Sequence, residues 1–138
     1  MSIRCSGAGR LISLASMVTA ALAVLAVTPA QAATAQAPSA ELGILVFHGD
    51  DIRQYSLDCG PDDGSHPDPR TACGQLRKVD GDLTTLRPGA DPSCKAPETD
   101  PVDVEIMGTW NGMITVFNER YPNPACAQAS AGLVVPIH

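Results

Sequence analysis

The chain has 138 residues and a net charge of −6; 44% of its residues are hydrophobic but only 4% aromatic, and it carries 12 Gly, 12 Pro and 5 Cys. That length leaves room for one small domain and excludes a multidomain enzyme. With nine Lys/Arg against fifteen Asp/Glu and no basic cluster, a polybasic nucleic-acid binder is excluded too.

Residues 1–32 read as a secretory signal peptide. Arg4 and Arg10 supply the positive start, residues 11–27 are uncharged and rich in Leu, Ala and Val, and Ala30-Gln31-Ala32 gives a small-x-small cleavage site with the cut after Ala32. The apolar stretch contains Ser13, Ser16 and Thr19 and falls short of a comfortable membrane span, so the expectation is a secreted, extracellular protein with no membrane anchor after cleavage. Cys5 leaves with the signal. What remains, residues 33–138, is 106 residues with seven basic against fifteen acidic side chains, a balance of −8. Its four cysteines, Cys59, Cys73, Cys94 and Cys126, form an even set in an oxidising compartment, where disulfides are the expected state. Three pairings are possible. Sequence proximity favours Cys59 with Cys73 and Cys94 with Cys126, each closing a loop that constrains the unfolded chain by roughly 3 kcal/mol.

Residues 33–40 form an Ala/Gln/Pro/Ser tail with nothing to bury and read as a flexible lead-in to a domain over residues 41–138. Residues 41–48, with Leu42, Ile44, Leu45, Val46 and Phe47, and residues 52–58, with Tyr55 and Leu57 on one face, predict two strands. Gly49-Asp50-Asp51 between them predicts an antiparallel hairpin. Residues 60–69 are loop chemistry. A helix follows: Asp68 is a good N-cap, Pro69 fits the first helical position, and Ala72, Cys73, Leu76 and Val79 recur at helical spacing, with Gly81 ending the run. Leu83 and Leu86 extend the apolar edge before a Pro-rich loop over residues 90–101. Val102, Val104 and Ile106 alternate with Asp103, Glu105 and Met107, the cleanest half-buried strand in the chain. Asn111-Gly112 is a strong hairpin signal that returns the chain as a strand over residues 113–118. Residues 121–130 read as a loop or short helix, and residues 132–137 as a last strand. The sum is an α+β domain: an antiparallel sheet of about five strands with one main and one short helix and two disulfides.

Little of this carries catalytic chemistry. Cys59, His66 and Cys73 are of zinc-binding type, but their spacing fits no known knuckle and secreted cysteines oxidise, so no metal is expected and His66 reads as a polar loop residue. Asp50/Asp51, Asp62/Asp63 and Asp80/Asp82 offer carboxylate pairs, all in turns, where aspartates serve the local backbone. Asp80-Gly81-Asp82 lacks the remaining ligands of a calcium loop. No nucleophile-elbow pattern is present, and the chain is read as no enzyme and as needing no cofactor. Trp110 is expected in the core, since a domain with five aromatic residues can scarcely spare its largest. The informative segment is residues 90–101, tied at Cys94 and stiffened by Pro92, Pro97 and Pro101. A short extended stretch held rigid on a disulfide-bonded scaffold is what a substrate-like protease inhibitor requires, because prior ordering saves the entropy a flexible peptide would lose on binding.

Several segments together resemble the Streptomyces subtilisin inhibitor family. Leu57-Asp58-Cys59, Gly64-Ser65-His66-Pro67 and Thr71-Ala72-Cys73-Gly74-Gln75-Leu76 are similar to the family's first disulfide loop and the helix after it. Gly81-Asp82-Leu83 matches the family's Gly-Asp-Leu, Cys94 followed by Asp100-Pro101-Val102 resembles its reactive-site loop entering a strand, and Gly108-Thr109-Trp110-Asn111-Gly112 matches its Gly-x-Trp-x-Gly hairpin. The resemblance implies Cys59–Cys73 and Cys94–Cys126 disulfides, a five-stranded sheet with two helices, a secreted homodimer, and reversible inhibition of subtilisin-type, in some members trypsin-type, serine proteases without a cofactor.

In the family the cysteine stands at P3, and four residues separate it from Asp-Pro. Here five do: Lys95, Ala96, Pro97, Glu98 and Thr99. Counting forward from Cys94 makes Ala96 P1 and Pro97 P1′; counting back from Asp100 makes Pro97 P1 and Glu98 P1′. Ala96-Pro97 is taken as the scissile bond, suited to a small or broad S1 pocket, whereas Lys95 would favour trypsin if the extra residue shifts the register. The alternative is a non-inhibitory secreted binding or structural domain that keeps the scaffold and has lost the register of its loop.

Overall fold

A computed structural model describes residues 38–137. The signal-peptide segment and most of the expected tail lie outside the described residues. Among the described residues, no helix is long and apolar enough to cross a membrane.

Four antiparallel strands form one sheet: β1 (Ala40–His48), β2 (Asp51–Cys59), β3 (Val102–Trp110) and β4 (Met113–Tyr121), in the spatial order β2-β1-β3-β4. Period-two alternation sets its two faces. Ala40, Leu42, Ile44 and Val46 of β1, Leu57 and Cys59 of β2, Val102, Val104, Ile106 and Trp110 of β3, and Phe117 and Tyr121 of β4 are buried on one side. Helices α1 (Pro69–Lys78) and α2 (Pro124–Ala131) supply the other wall of this core through Ala72, Cys73 and Leu76 and through Cys126, Ala127 and Ala131. The α1 start expected from sequence is present, with the Asp68 carboxylate accepting from the Thr71 amide at 3.1 Å and Pro69 in the first turn. Cys59–Cys73 joins the end of β2 to α1, and Cys94–Cys126 joins the long loop to α2.

Close approach requires glycine at Gly81 and at Gly108, among other positions. Gly81 has φ +73°, and a Cβ there would meet the Trp110 ring at 2.4 Å, so the glycine gives Trp110 its place in the core while Asp80 Oδ1 accepts from the indole N–H at 3.3 Å. A Cβ at Gly108 would stand 1.9 Å from the Glu41 carbonyl oxygen, where β1 pairs with β3.

Two expectations are corrected. The sheet has four strands, not five: residues 132–137 form a turn, with the amides of Val134 and Val135 both donating to the Ala131 carbonyl at 2.8 Å. An apolar run such as Leu133-Val134-Val135-Pro136-Ile137 reads alike as a strand or as a chain end tucked into the core, and here Val134 and Val135 are fully buried. His66 is no solvent-facing loop residue; it is 7% exposed. Its Nδ1 accepts from the Asp68 amide at 3.0 Å, and its Nε2–H donates to the Val134 carbonyl at 3.0 Å, which pins the chain end to the first disulfide loop.

Burial pushes the His66 imidazole below its ordinary range. In the unfolded chain it takes up a proton near pH 6.5, in the folded chain only at lower pH, so the unfolded state binds more protons in that window and stability falls on acidification. Urea denaturation between pH 7.5 and 5 is expected to show this loss, and His66→Gln to flatten the slope; an unchanged slope would assign the pH dependence elsewhere.

Candidate functional site

The Pro-rich loop leaves Leu86 at the end of a short 3-10 turn, Leu83–Leu86, and enters β3 at Val102. Asp91 starts it by accepting from both the amide and the hydroxyl of Ser93, at 2.9 and 2.5 Å, which caps a second 3-10 turn, Pro92–Lys95. These bonds hold the Asp91 carboxyl below its usual range. Cys94 sits inside that turn, its Cα 4.7 Å from that of Cys126 in α2. The Asn123 side chain ties the same two elements again. Its Oδ1 accepts from the Cys126 amide at 2.9 Å as the N-cap of α2, and its Nδ2–H donates to the Ser93 carbonyl at 2.9 Å.

Ala96 ends the turn and opens the extended stretch, with φ −69° and ψ 153°. Lys95, Ala96, Pro97, Glu98, Thr99 and Asp100 are all exposed. Pro97 fixes its own φ and removes a donor from the arc. The chain is caught again at Thr99 and Asp100, whose amides both donate to the Pro122 carbonyl at 3.3 and 3.4 Å. Beside them Arg120 of β4 donates through Nε and Nη2 to Glu98 Oε1 at 3.2 and 3.0 Å and through Nη1 to Asp103 Oδ2 at 2.6 Å. Those two carboxylates hold the guanidinium more firmly protonated than usual. His48 Nε2 lies 2.9 Å from Asp100 Oδ1 at the base. An exposed arc of about four residues is thus anchored at both ends by covalent and hydrogen bonds, and its chemistry is that of a presented peptide backbone.

The other candidates are placed apart from this loop. Cys59, Asp62 and Cys73 lie close together, but the two sulfurs are bonded to each other and the Asp62 carboxylate is held by Arg77, which lowers its pKa. His66 points to Val134 instead of joining them. Asp63 Oδ1 accepts from the Gly64 amide at 2.8 Å, Asp80 bonds Trp110, and Asp82 caps Leu83–Leu86 through the Thr84 amide at 3.0 Å, so these turn aspartates serve local backbone and core. Trp110 is buried, as expected.

Arg120, Pro122, Asn123 and His48 were absent from the sequence-derived site. Two of them had a legible signal. Asn123-Pro124 is an N-cap followed by a first-turn proline. Counting outward from the Asn111-Gly112 turn sets Arg120 directly across from Asp103, an opposite-charge cross-strand pair.

Known proteins are similar to this chain over most of its length. The family model described as "Subtilisin inhibitor-like" matches residues 19–123. Protease inhibitor SIL-V2 of Streptomyces orinoci is 35% identical over 104 residues, covering 71% of this chain and 94% of the relative. Trypsin inhibitor STI2 of Streptomyces longisporus is 35% identical over 117 residues, covering 80% and 79%. Among solved structures, Streptomyces caespitosus sermetstatin in complex with Bacillus licheniformis subtilisin is similar with a TM-score of 0.57 and 31% identity, over 72% of this chain and 98% of that one.

The double duty of Asn123 separates cap from tie. Asn123→Asp keeps the capping oxygen and loses the donor to Ser93, whereas Asn123→Ala loses both. Urea denaturation is expected to show Asn123→Ala less stable by about 1–2 kcal/mol and Asn123→Asp by less; equal losses would mean that the cap contributes nothing.

Proposed function

The chain belongs to the subtilisin inhibitor-like family, and we propose that it is a secreted inhibitor of subtilisin-type serine endopeptidases that offers residues 94–99 to the protease cleft as a pre-ordered substrate. The observation that carries the reading is the loop itself: an exposed arc fixed by Cys94–Cys126 at one end and by the Pro122 carbonyl at the other. A peptide already held extended adds to the protease as a strand without the ordering entropy a free substrate loses. The scissile bond is Ala96-Pro97. Supporting it, Lys95 is still within the 3-10 turn while Ala96 is the first residue of extended backbone. Ala96 at P1 suits enzymes with small or broad S1 pockets, and trypsin-type enzymes are the second target class, reached if Lys95 becomes P1. The leader over residues 1–32 delivers the protein to the medium, with Ala33 as the mature N-terminus.

A second copy of the chain is the partner of the outer sheet face. Met107, Ile114 and Val116 are 49%, 85% and 62% exposed. Met107 pairs with Val116 in register, and Thr109 with Ile114, which puts these side chains on the face opposite the core. An apolar strip of this kind on a small secreted domain supports self-association in a homodimer.

Titration of subtilisin and trypsin with the secreted protein is expected to show tight, reversible inhibition of subtilisin, with slow cleavage found by mass spectrometry between Cys94 and Thr99. If the purified protein is cut rapidly as an ordinary substrate or leaves both enzymes active, the non-inhibitory reading holds, and inhibition gained on deleting Lys95 would locate the defect in loop register. Analytical ultracentrifugation is expected to give a dimer that Val116→Glu converts to a folded monomer; a monomeric parent would sink the homodimer.

A further inference from the structure

We propose that Arg120 is a positioning residue that fixes the stretch of the reactive loop following the scissile bond, and that it does so by bridging Glu98 to Asp103. This deepens the inhibitor reading and rests on it. Glu98 lies in the exposed arc, whereas Asp103 and Arg120 face each other in register across β3 and β4. The guanidinium spends Nε and Nη2 on Glu98, at 3.2 and 3.0 Å, and Nη1 on Asp103, at 2.6 Å. A planar donor fork engaged on two sides sets direction as well as distance. Because Asp103 belongs to a strand, the guanidinium cannot follow the loop; the loop must come to it. The amides of Thr99 and Asp100, on the Pro122 carbonyl, continue the same anchor.

The placement matters because Glu98 lies on the leaving side of the scissile bond in either register, at P2′ for Ala96-Pro97 and at P1′ for Pro97-Glu98. When the protease serine oxygen bonds the acyl carbon, the C–N bond breaks and the nitrogen leaves as an amine, carrying the proton handed on by the protease's general acid. On a segment held to β3 and β4 that amine stays beside the acyl-enzyme, where it can re-form the amide and release the serine oxygen. A loose segment drifts away and water takes its place. Arg120 therefore favours reversible inhibition over hydrolysis. The Arg120 and Glu98 side chains are each 51% exposed, so the tie contributes little to global stability and acts locally.

The test compares the parent with Arg120→Ala, Arg120→Lys, Glu98→Ala and the Arg120→Ala/Glu98→Ala double variant. Three quantities are read: the inhibition constant against subtilisin, the rate of cleavage within residues 94–99, and amide hydrogen exchange. Arg120→Ala is expected to weaken inhibition, speed cleavage and speed exchange at Thr99 and Asp100, each by about tenfold or more, with exchange at Val104 and Phe117 unchanged. Lys at 120 recovers part of this, since one ammonium cannot reproduce the fork, and the double variant is no worse than the worse single one. Unchanged exchange at Thr99 and Asp100 in Arg120→Ala overturns the proposal, as does faster exchange spread evenly over β3 and β4. A parent that does not inhibit sinks the inhibitor reading without touching the tie, which the exchange rates decide alone.

Discussion

The register of the β3–β4 hairpin governs most of what this domain presents. Asn111 and Gly112, at φ +51° and +77°, make a two-residue turn whose twist matches the flanking strands. Ser39 grips it from the start of the domain, its N–H on Asn111 Oδ1 at 3.1 Å and its carbonyl accepting from the Asn111 amide at 2.7 Å. From that turn every pairing follows to Val102 and Tyr121. A slip of β4 by one residue along β3 would send Phe117 and Tyr121 to solvent and bring Val116 inside. It would also carry Arg120 away from Asp103 and move the Pro122 carbonyl from under the loop. The hairpin thus sets the core, the outer apolar face and the far anchor of the loop at once.

The loop has no core of its own, so its order is borrowed from both neighbours. The disulfide and Asn123 take it to α2; Pro122 and Arg120 take it to the end of β4, the strand from which α2 departs. The two anchors lie within seven residues of one another, Arg120 to Cys126, so relative motion between them is small compared with what a loop spanning two distant elements would experience. Tyr121 reinforces this corner from inside. Its hydroxyl donates to the Leu86 carbonyl at 2.5 Å, and burial, with the nearby Glu119 charge, pushes its pKa upwards.

How much of this the sequence disclosed depended on whether a feature had a period or a turn signature. The alternation over residues 102–107, the Asn111-Gly112 turn and the Asp68-Pro69 start each encode a local backbone preference, and each appears in the structure as a strand, a hairpin and a capped helix. Features decided by tertiary contact were misread. The final apolar run has the composition of a strand, yet the Val134 carbonyl that would have paired in a sheet is taken by His66. His66 in turn looked like loop chemistry because its partner lies 68 residues away. The candidate loop is legible in its prolines and Cys94, whereas the part played by Arg120 depends on the strand register that sets it across from Asp103.

Five residues separate Cys94 from Asp100, one more than the resemblance implies, and the anchors matter more than that length. Lengthening a closed arc from four residues to five costs only about 0.2 kcal/mol in closure entropy, so stability gives no reason to reject it. The same residue adds up to about 3.5 Å of contour, which is large against the placement a serine protease demands of the attacked carbonyl. Cys94 fixes where that contour begins, and Glu98 on Arg120 with Thr99 and Asp100 on Pro122 fix where it ends, so the slack is confined to Lys95, Ala96 and Pro97. Lys95 is drawn into the 3-10 turn, the Ala96 amide donates to the Ser93 carbonyl at 3.4 Å, and Pro97 fixes its own φ and restricts the residue before it, so little freedom is left between the two anchors. On the proposed reading of Ala96-Pro97 as the scissile bond, the hold of Arg120 on Glu98 then decides how far the added contour can displace that bond.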